Sequence, residues 1–229
     1  MVIPNPWTGL RELTAARIAL GRVGHSLPTR ELLAFQLAHA KARDAVWDAL
    51  DPSALPGPHI LLKSMARDRA IYLRRPDLGR RLAPKSVERL TRGDGEVVVI
   101  LVDGLSATAV HRHSGPLLDA LPAELRGPVY VVEQGRVAIG DEIGERTGAA
   151  LALVLIGERP GLSSPDSLGA YLTWSPRVGR TDAERNCVSN IRTGGLDPAL
   201  AALRIAALMR AAREKRLTGV HLKTASLLE

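Results

Sequence analysis

The chain has 229 residues, of which 45% are hydrophobic and 3% aromatic, and its formal net charge is +7. This length suits one large domain or a domain with an accessory segment, with a core of aliphatic side chains. A single cysteine, Cys187, excludes an intrachain disulfide and a cysteine-based zinc site, and no apolar run approaches the roughly 20 residues that cross a membrane. The first ten residues contain no apolar signal region, so we expect a cytoplasmic protein.

The excess of basic residues is dispersed along the chain. Only five of the 31 basic residues are Lys, and the densest pairs are Arg74-Arg75 and Arg80-Arg81. Arginine favours two-point contacts to carboxylates and phosphates, but few aromatic residues are present to stack on bases. We therefore predict no nucleic-acid binding, and an acidic protein partner or an anionic ligand fits the charge at least as well.

The first 93 residues are predicted to be helical. An arm over residues 1–25 ends in a short helix, which Gly21 and Gly24 stop. A second helix opens at Pro28 and Thr29, and a third covers residues 60–73. Helical spacing places His39 on one face of the second helix with these apolar side chains: Leu32, Phe35, Ala42, Val46 and Leu50. His39 in that face is interpreted as a core-edge histidine with a hydrogen-bonded partner.

From Glu96 onward, short apolar runs alternate with helical segments. The predicted strands cover Val97–Val102 and residues 128–132, 150–156, 170–174 and 187–191. A helix over residues 139–146 lies between the second and third strands, and Asp197-Pro198 begins the last helix. Its predicted inner face carries Leu200, Leu203, Ala207 and Ala211. This alternation is typical of a parallel sheet with right-handed crossovers.

The loop after the 150–156 strand is the predicted binding surface. It runs from Glu158 to Ser167 and is rich in Gly, Pro and Ser. Ligands of open α/β sheets gather where strands end in such loops. Because Glu158 directly follows a buried strand, its carboxylate needs Arg159, another arginine or a ligand rich in N–H donors.

Several familiar motifs are absent from the sequence, and Asp103 has three alternative interpretations. No dinucleotide-binding glycine pattern, Walker A sequence or nucleophile elbow occurs. Asp103 lies before the predicted N-cap Ser106. It is interpreted as a catalytic acid, as a ligand contact, or as a negative charge that stabilises the start of the helix. His111 and His113 diverge on a helix, so we expect no metal site. Cys187, at the start of a buried strand, is interpreted as a small apolar filler.

Seven short stretches in combination are specific for a known family. They are TAARIALGR at 14–22, YLRRPDLGR at 72–80, DGLS at 103–106, GRV at 135–137, IGE at 143–145, GERPGL at 157–162 and RNCVSNI at 185–191. With them the sequence resembles the small subunit (light chain) of ethanolamine ammonia-lyase. The resemblance implies an α/β fold: a Rossmann-like, mostly parallel sheet with helices on both faces, preceded by a helical N-terminal segment. We divide the chain at 1–93 and 94–229.

The resemblance also implies a cofactor and a partner. In this family a large subunit binds ethanolamine and surrounds the reactive face of adenosylcobalamin, and the small subunit closes over the other side. Three family positions that contact cobalamin map onto Val137, Glu158 and Cys187. The cofactor cleaves its cobalt–carbon bond to start the conversion of ethanolamine to acetaldehyde and ammonia. No Asp-x-His-x-x-Gly pattern is present, so we expect the cofactor to keep its own base on cobalt.

The resemblance assigns the catalytic residues of this carbon–nitrogen lyase to the large subunit, and none to this chain. We expect a hetero-oligomer in which residues 1–93, with the Arg74–Arg81 corner, dock on the large subunit. Longer family members carry an N-terminal extension that directs them to a bacterial microcompartment. The match here starts near residue 14, so we do not expect encapsulation through this chain. Two alternatives remain: a non-enzymatic α/β ligand- or partner-binding module, and a stand-alone enzyme that uses Asp103 and Glu158.

Overall fold

The computed structural model describes residues 5–14, 16–93 and 95–222. Its centre is a six-stranded sheet in the order β1-β3-β2-β4-β5-β6. The strands are β1 (Ile60–Lys63), β2 (Val97–Val102), β3 (Val129–Glu133), β4 (Leu151–Gly157), β5 (Leu168–Trp174) and β6 (Arg185–Ile191). The four strands from β1 to β4 pair in parallel, whereas β5 is antiparallel to both of its neighbours. The prediction of a mostly parallel α/β sheet is confirmed.

Helices cover both faces of the sheet. They are α1 (Thr29–Trp47), α2 (Arg69–Arg74), α3 (Pro84–Val87), α4 (Ala107–Ala120), α5 (Ile139–Thr147) and α6 (Pro198–Lys215). Short 3-10 helices cover Thr8–Leu13, Pro52–Ala54, Leu78–Arg80, Ala123–Leu125, Asp182–Glu184 and Gly219–His221. No described helix is both long and apolar enough to cross a membrane.

Side-chain alternation along the central strands builds two hydrophobic layers. Leu151, Leu153 and Leu155 of β4 pack on one face with residues of α4 and α6. Val154 and Ile156 pack on the other face with residues of α5. Because every residue of β2 and β4 is buried, these strands read as uninterrupted apolar runs in the sequence. The face that carries α5 is called the α5 face below.

Helix starts follow the predicted capping chemistry. The Ser106 hydroxyl accepts a hydrogen bond from the Ala109 N–H at 3.3 Å, and Asp197 accepts one from the Ala199 N–H at 2.9 Å. Pro198 occupies the first helical position of α6, where its missing N–H has no cost. Both predicted caps are confirmed.

The predicted helix over residues 60–73 is wrong. Ile60–Lys63 is the edge strand β1, which pairs in parallel with β3, and only Arg69–Arg74 is helical. The helix begins there because the Asp68 carboxylate accepts the Ile71 N–H at 2.7 Å and so caps it. Residues before position 93 therefore contribute a strand to the sheet, and the division of the chain at 93/94 stays a prediction.

Three further details of the predicted helices need correction. The 3-10 helix of the arm ends at Leu13, so the predicted helix does not extend to Gly21. Helix α1 is present, but Ala45 is the one buried residue among those described in it, and His39 is exposed rather than at a core edge. In α6 the leucines at 200 and 203 are exposed, and the helix buries mainly alanines, with Ile205, Leu208 and Met209. Small alanines allow α6 to pack closely against the sheet and α4.

Candidate functional site

Glu158 lies directly after β4, and its carboxylate folds back over β5. Its Oε2 accepts hydrogen bonds from the Ser167 hydroxyl at 2.5 Å and from the Asn190 N–H at 3.3 Å. Gly169 leaves room for it, because a Cβ at that position would lie 2.9 Å from Glu158 Oε1. No arginine among the described residues pairs with Glu158, so a hydroxyl and a backbone amide hold it rather than Arg159 or another arginine, and the third alternative, a ligand rich in N–H donors, stays a prediction.

The loop from Glu158 to Ser167 is fixed against helix α4. The Ser106 hydroxyl donates to the Pro165 carbonyl at 2.9 Å. Asp166 accepts a hydrogen bond from Arg112 at 2.8 Å, and the His113 Nε2 lies 3.6 Å from the same carboxylate. These contacts hold the predicted binding loop in one position relative to the sheet.

Cys187 lies on the α5 face in the antiparallel pair with Tyr171. It is exposed and β6 already begins at Arg185, so its interpretation as an apolar filler at the start of a buried strand is wrong. Desolvation by its neighbours raises the pKa of the Cys187 thiol, and the Glu158 carboxylate adds to this, although the Tyr171 hydroxyl lowers it. The thiol is therefore neutral at physiological pH and weakly nucleophilic.

Val137 lies between β3 and α5 and is half-buried. It packs against the same hydrophobic cluster of the α5 face as Tyr171. Cys187 pairs with Tyr171 across β5 and β6, and the Glu158 carboxylate and the Tyr171 ring both border the space at Gly169, so Glu158 and Cys187 lie around Tyr171. Glu158, Cys187 and Val137, which are far apart in the sequence, thus share one face of the sheet.

Asp103, at the end of β2, holds the loop that carries Val137. Its carboxylate accepts the N–H groups of Gln134 at 2.8 Å and Gly135 at 3.1 Å, and Arg69 lies 3.5 Å away. Burial raises the pKa of Asp103 to about 6, although these three contacts oppose the shift. Because the carboxylate is buried and its oxygens are occupied, the geometry supports a structural role rather than catalysis.

Tyr72 of α2 also supports the loop that carries Val137. The sequence analysis did not predict this role. Its hydroxyl donates to the Gly135 carbonyl at 2.9 Å. The guanidinium carbons of Arg136 and Arg69 lie 4.2 Å and 4.8 Å from the centre of its ring, which is cation–π geometry. Tyr72 begins the 72–80 stretch that carries the family resemblance, but neither its sequence pattern nor that of Arg69 predicted these contacts, because both indicated only a helix.

The two histidines of α4 have separate partners. The His111 Nε2 accepts the Asp51 N–H at 2.9 Å, whereas His113 faces Asp166. Their predicted divergence on the helix is confirmed. In the part of the chain that the structure describes, no group of three or more His, Cys, Asp or Glu side chains is arranged to hold a metal ion.

Comparison with known proteins decides the family. The profile of the family described as ethanolamine ammonia-lyase light chain (EutC) matches residues 4–223. This chain belongs to that family. Three curated relatives are each described as an ethanolamine ammonia-lyase small subunit. That of Azotobacter vinelandii is 56% identical, and the match covers 96% of this chain and 88% of the relative. That of Xanthomonas campestris is 54% identical with coverages of 96% and 88%, and that of Ralstonia nicotianae is 52% identical with coverages of 98% and 90%.

The family assignment confirms the resemblance that the sequence analysis stated. These descriptions name the light chain, or small subunit, of ethanolamine ammonia-lyase. Glu158 and Cys187, which the resemblance selected as cobalamin contacts, lie around Tyr171, and Val137 packs into the same cluster.

Proposed function

We propose that this chain is the small subunit of an adenosylcobalamin-dependent ethanolamine ammonia-lyase and that it closes over the cofactor at the interface with the large catalytic subunit. The observation that carries the proposal is the position of Glu158 and Cys187 around Tyr171, on the sheet face where Val137 also packs. The family assignment and the relatives' descriptions support the enzyme and its substrate.

The chemistry of these side chains fits one side of a corrinoid. A corrin ring is apolar and edged by primary amides, so a carboxylate acceptor such as Glu158 suits an amide N–H and Val137 suits the ring edge. Cys187 is small and neutral, which lets the ligand approach the strand closely. When bound, adenosylcobalamin supplies a weak cobalt–carbon bond whose cleavage starts the reaction, and we propose that its own base stays on cobalt.

The residues of this chain bind and orient the cofactor; they do not react. Glu158 is fixed by Ser167 and Asn190, so its carboxylate is held in place before a ligand arrives. The Asp103 contacts fix the loop before Val137 in the same way. We assign no catalytic residue to this chain, since Asp103 is buried and fully engaged. A stand-alone enzyme that uses Asp103 and Glu158 is therefore not favoured.

The N-terminal segment supplies the proposed docking surface for the large subunit. Helix α1 carries these exposed large apolar side chains: Leu32, Leu33, Phe35, Leu37 and Trp47. Trp7, Leu10 and Leu13 of the arm are exposed as well. Several exposed large apolar side chains on one segment indicate an interaction surface, and the partner that a small subunit implies is the large subunit.

Co-expression with the large subunit tests the proposal. We expect the two chains to purify together, to show the visible spectrum of a bound corrinoid after incubation with cobalamin, and to release acetaldehyde from ethanolamine. The chain alone should release none. Turnover by the chain alone would indicate a stand-alone enzyme. Failure to assemble, with a different ligand or partner retained, would indicate a non-enzymatic binding module.

A further inference from the structure

Tyr171 lies between Glu158 and Cys187 on the proposed cofactor face. On β5 it pairs with Cys187, and Gly169 precedes it by two residues on the same face. A Cβ at Gly169 would lie 3.1 Å from the Tyr171 ring atom Cε2 and 2.9 Å from Glu158 Oε1. The tyrosine ring and the carboxylate therefore border the same space, which exists because residue 169 has no side chain.

The two groups present opposite hydrogen-bonding functions. Glu158 Oε2 is engaged by Ser167 and Asn190, whereas no donor among the described residues reaches Oε1. Burial raises the pKa of Tyr171 well above its usual value, and the Cys187 thiol and the Glu158 carboxylate raise it further. The phenol therefore keeps its proton, and the Cys187 thiol, which pairs with it across the two strands, is a weak hydrogen-bond partner. An open acceptor thus lies beside an available donor.

The geometry points to Tyr171 as a further binding residue: its O–H and Glu158 Oε1 together recognise one primary amide of the corrinoid rim. A primary amide places N–H donors beside a carbonyl acceptor, which complements a carboxylate oxygen beside a hydroxyl. This assignment rests on the proposed function and specifies which chemical group the site recognises. Gly169 is the positioning residue, because a side chain there would push the carboxylate away from the hydroxyl.

Equilibrium dialysis of cyanocobalamin against the assembled two-subunit complex tests the assignment without turnover. We expect Tyr171→Phe to weaken binding about tenfold, the scale of one hydrogen bond to a polar partner. The matched control is Tyr130→Phe, a buried tyrosine of β3 in the same hydrophobic cluster, which should stay within about twofold of the unsubstituted complex. Thermal unfolding should be unchanged for both.

A second variant and a second set of ligands separate recognition from folding. Gly169→Ala should give the same loss as Tyr171→Phe even if the phenylalanine variant folds poorly. Among cobalamins with one peripheral amide converted to a carboxylate, the unsubstituted complex should reject one isomer more than tenfold, because a carboxylate meets Glu158. Glu158→Gln should remove that rejection, because its N–H groups donate to a carboxylate.

The possible results distinguish the two proposals. Retained affinity in both Tyr171→Phe and Gly169→Ala, with tight binding by the unsubstituted complex, would overturn the amide assignment and leave the proposed function intact. Equal binding of all carboxylate isomers by the unsubstituted complex would also overturn the assignment. An unsubstituted complex that holds no cobalamin would overturn the proposed function and the assignment with it.

Discussion

Asp141 of α5 and Arg185 of β6 form a two-point ion pair, with Oδ1 and Oδ2 at 2.6 Å and 2.7 Å from the guanidinium nitrogens. Both side chains are only 3% exposed, and Arg185 also donates to the Thr173 hydroxyl at 2.9 Å. Helix α5 begins two residues after Val137, and β6 carries Cys187 two residues after Arg185. The pair therefore fixes the distance between two elements that bear proposed site residues.

Removing one partner of this ion pair should destabilise the fold. Asp141→Ala leaves the Arg185 guanidinium buried without a carboxylate, so we expect the free energy of unfolding to fall by about 3–5 kcal/mol. Urea denaturation followed by circular dichroism measures it. The matched control is Asp182→Ala, because that carboxylate lies 3.5 Å from the same arginine but is fully exposed. It should leave stability nearly unchanged, and an equal loss in both variants would contradict the role of burial.

The dependence of the unfolding free energy on pH should reveal the raised pKa of Asp103. Its pKa is about 6 in the folded chain and about 3.9 when unfolded, so the folded state holds the proton more tightly. Its contribution to stability is fully present below about pH 4 and is lost as the pH rises through about 6, roughly 2–4 kcal/mol in all. Asp103→Asn cannot ionise. The difference in unfolding free energy between the two chains should therefore change across pH 4–7 in favour of the variant, and a constant difference would contradict the raised pKa.

The core strands could be predicted from the sequence, because strands buried on both faces must be apolar throughout. Val97–Val102 has that form, and its predicted bounds agree with the structure. The four-residue β1 could not be recognised, since a short apolar run fits a strand or a helix equally well and only its pairing with β3 decides. The antiparallel direction of β5 could not be predicted either, because side-chain alternation is the same in parallel and antiparallel strands.

The face of a helix was harder to predict than the helix itself. The apolar stripe of α1 suggested a core contact, yet the described part of the chain leaves most of that stripe exposed. Hydrophobic spacing cannot tell an internal core from an interface with another chain. Glu158 was found because a carboxylate after a buried strand is unusual, but its partners Ser167 and Asn190 depend on the loop and on a bulged strand pair, which carry no sequence signal.

Glu158 should contribute directly to cofactor retention. Glu158→Ala removes the proposed acceptor, so we expect cobalamin binding by the two-subunit complex to weaken by about 1–3 kcal/mol, the scale of an unmatched polar contact. Arg177→Ala is the control, because it is an exposed arginine outside the loop from Glu158 to Ser167 and should bind cobalamin as the unsubstituted complex does. Spectral titration measures both, and unchanged affinity in Glu158→Ala would remove this residue from the site.

Two features of the N-terminal segment guide a test of docking. Leu33 and Leu37, one turn apart on α1, are 58% and 57% exposed, so replacing them should not disturb the fold. In the predicted basic corner, Arg81 pairs with the buried Glu142 at 3.1 Å, whereas Arg80 forms no ion pair among the described residues. Charge reversal at Arg81 would therefore perturb folding, and Arg80 is the better position for testing the charge.

The double substitution Leu33→Gln and Leu37→Gln should weaken assembly with the large subunit by tenfold or more, because a leucine buried at an interface contributes about 1.5–3 kcal/mol. Sedimentation velocity over a range of concentrations measures the change. Leu203→Gln on α6 is the matched control, because that leucine is 65% exposed but lies outside the N-terminal segment, and assembly should stay within about twofold. Arg80→Glu should weaken assembly more at low salt than at moderate salt, because salt screens interactions between exposed charges. If the leucine variant assembles normally while Leu203→Gln does not, the large subunit docks on α6 rather than on α1.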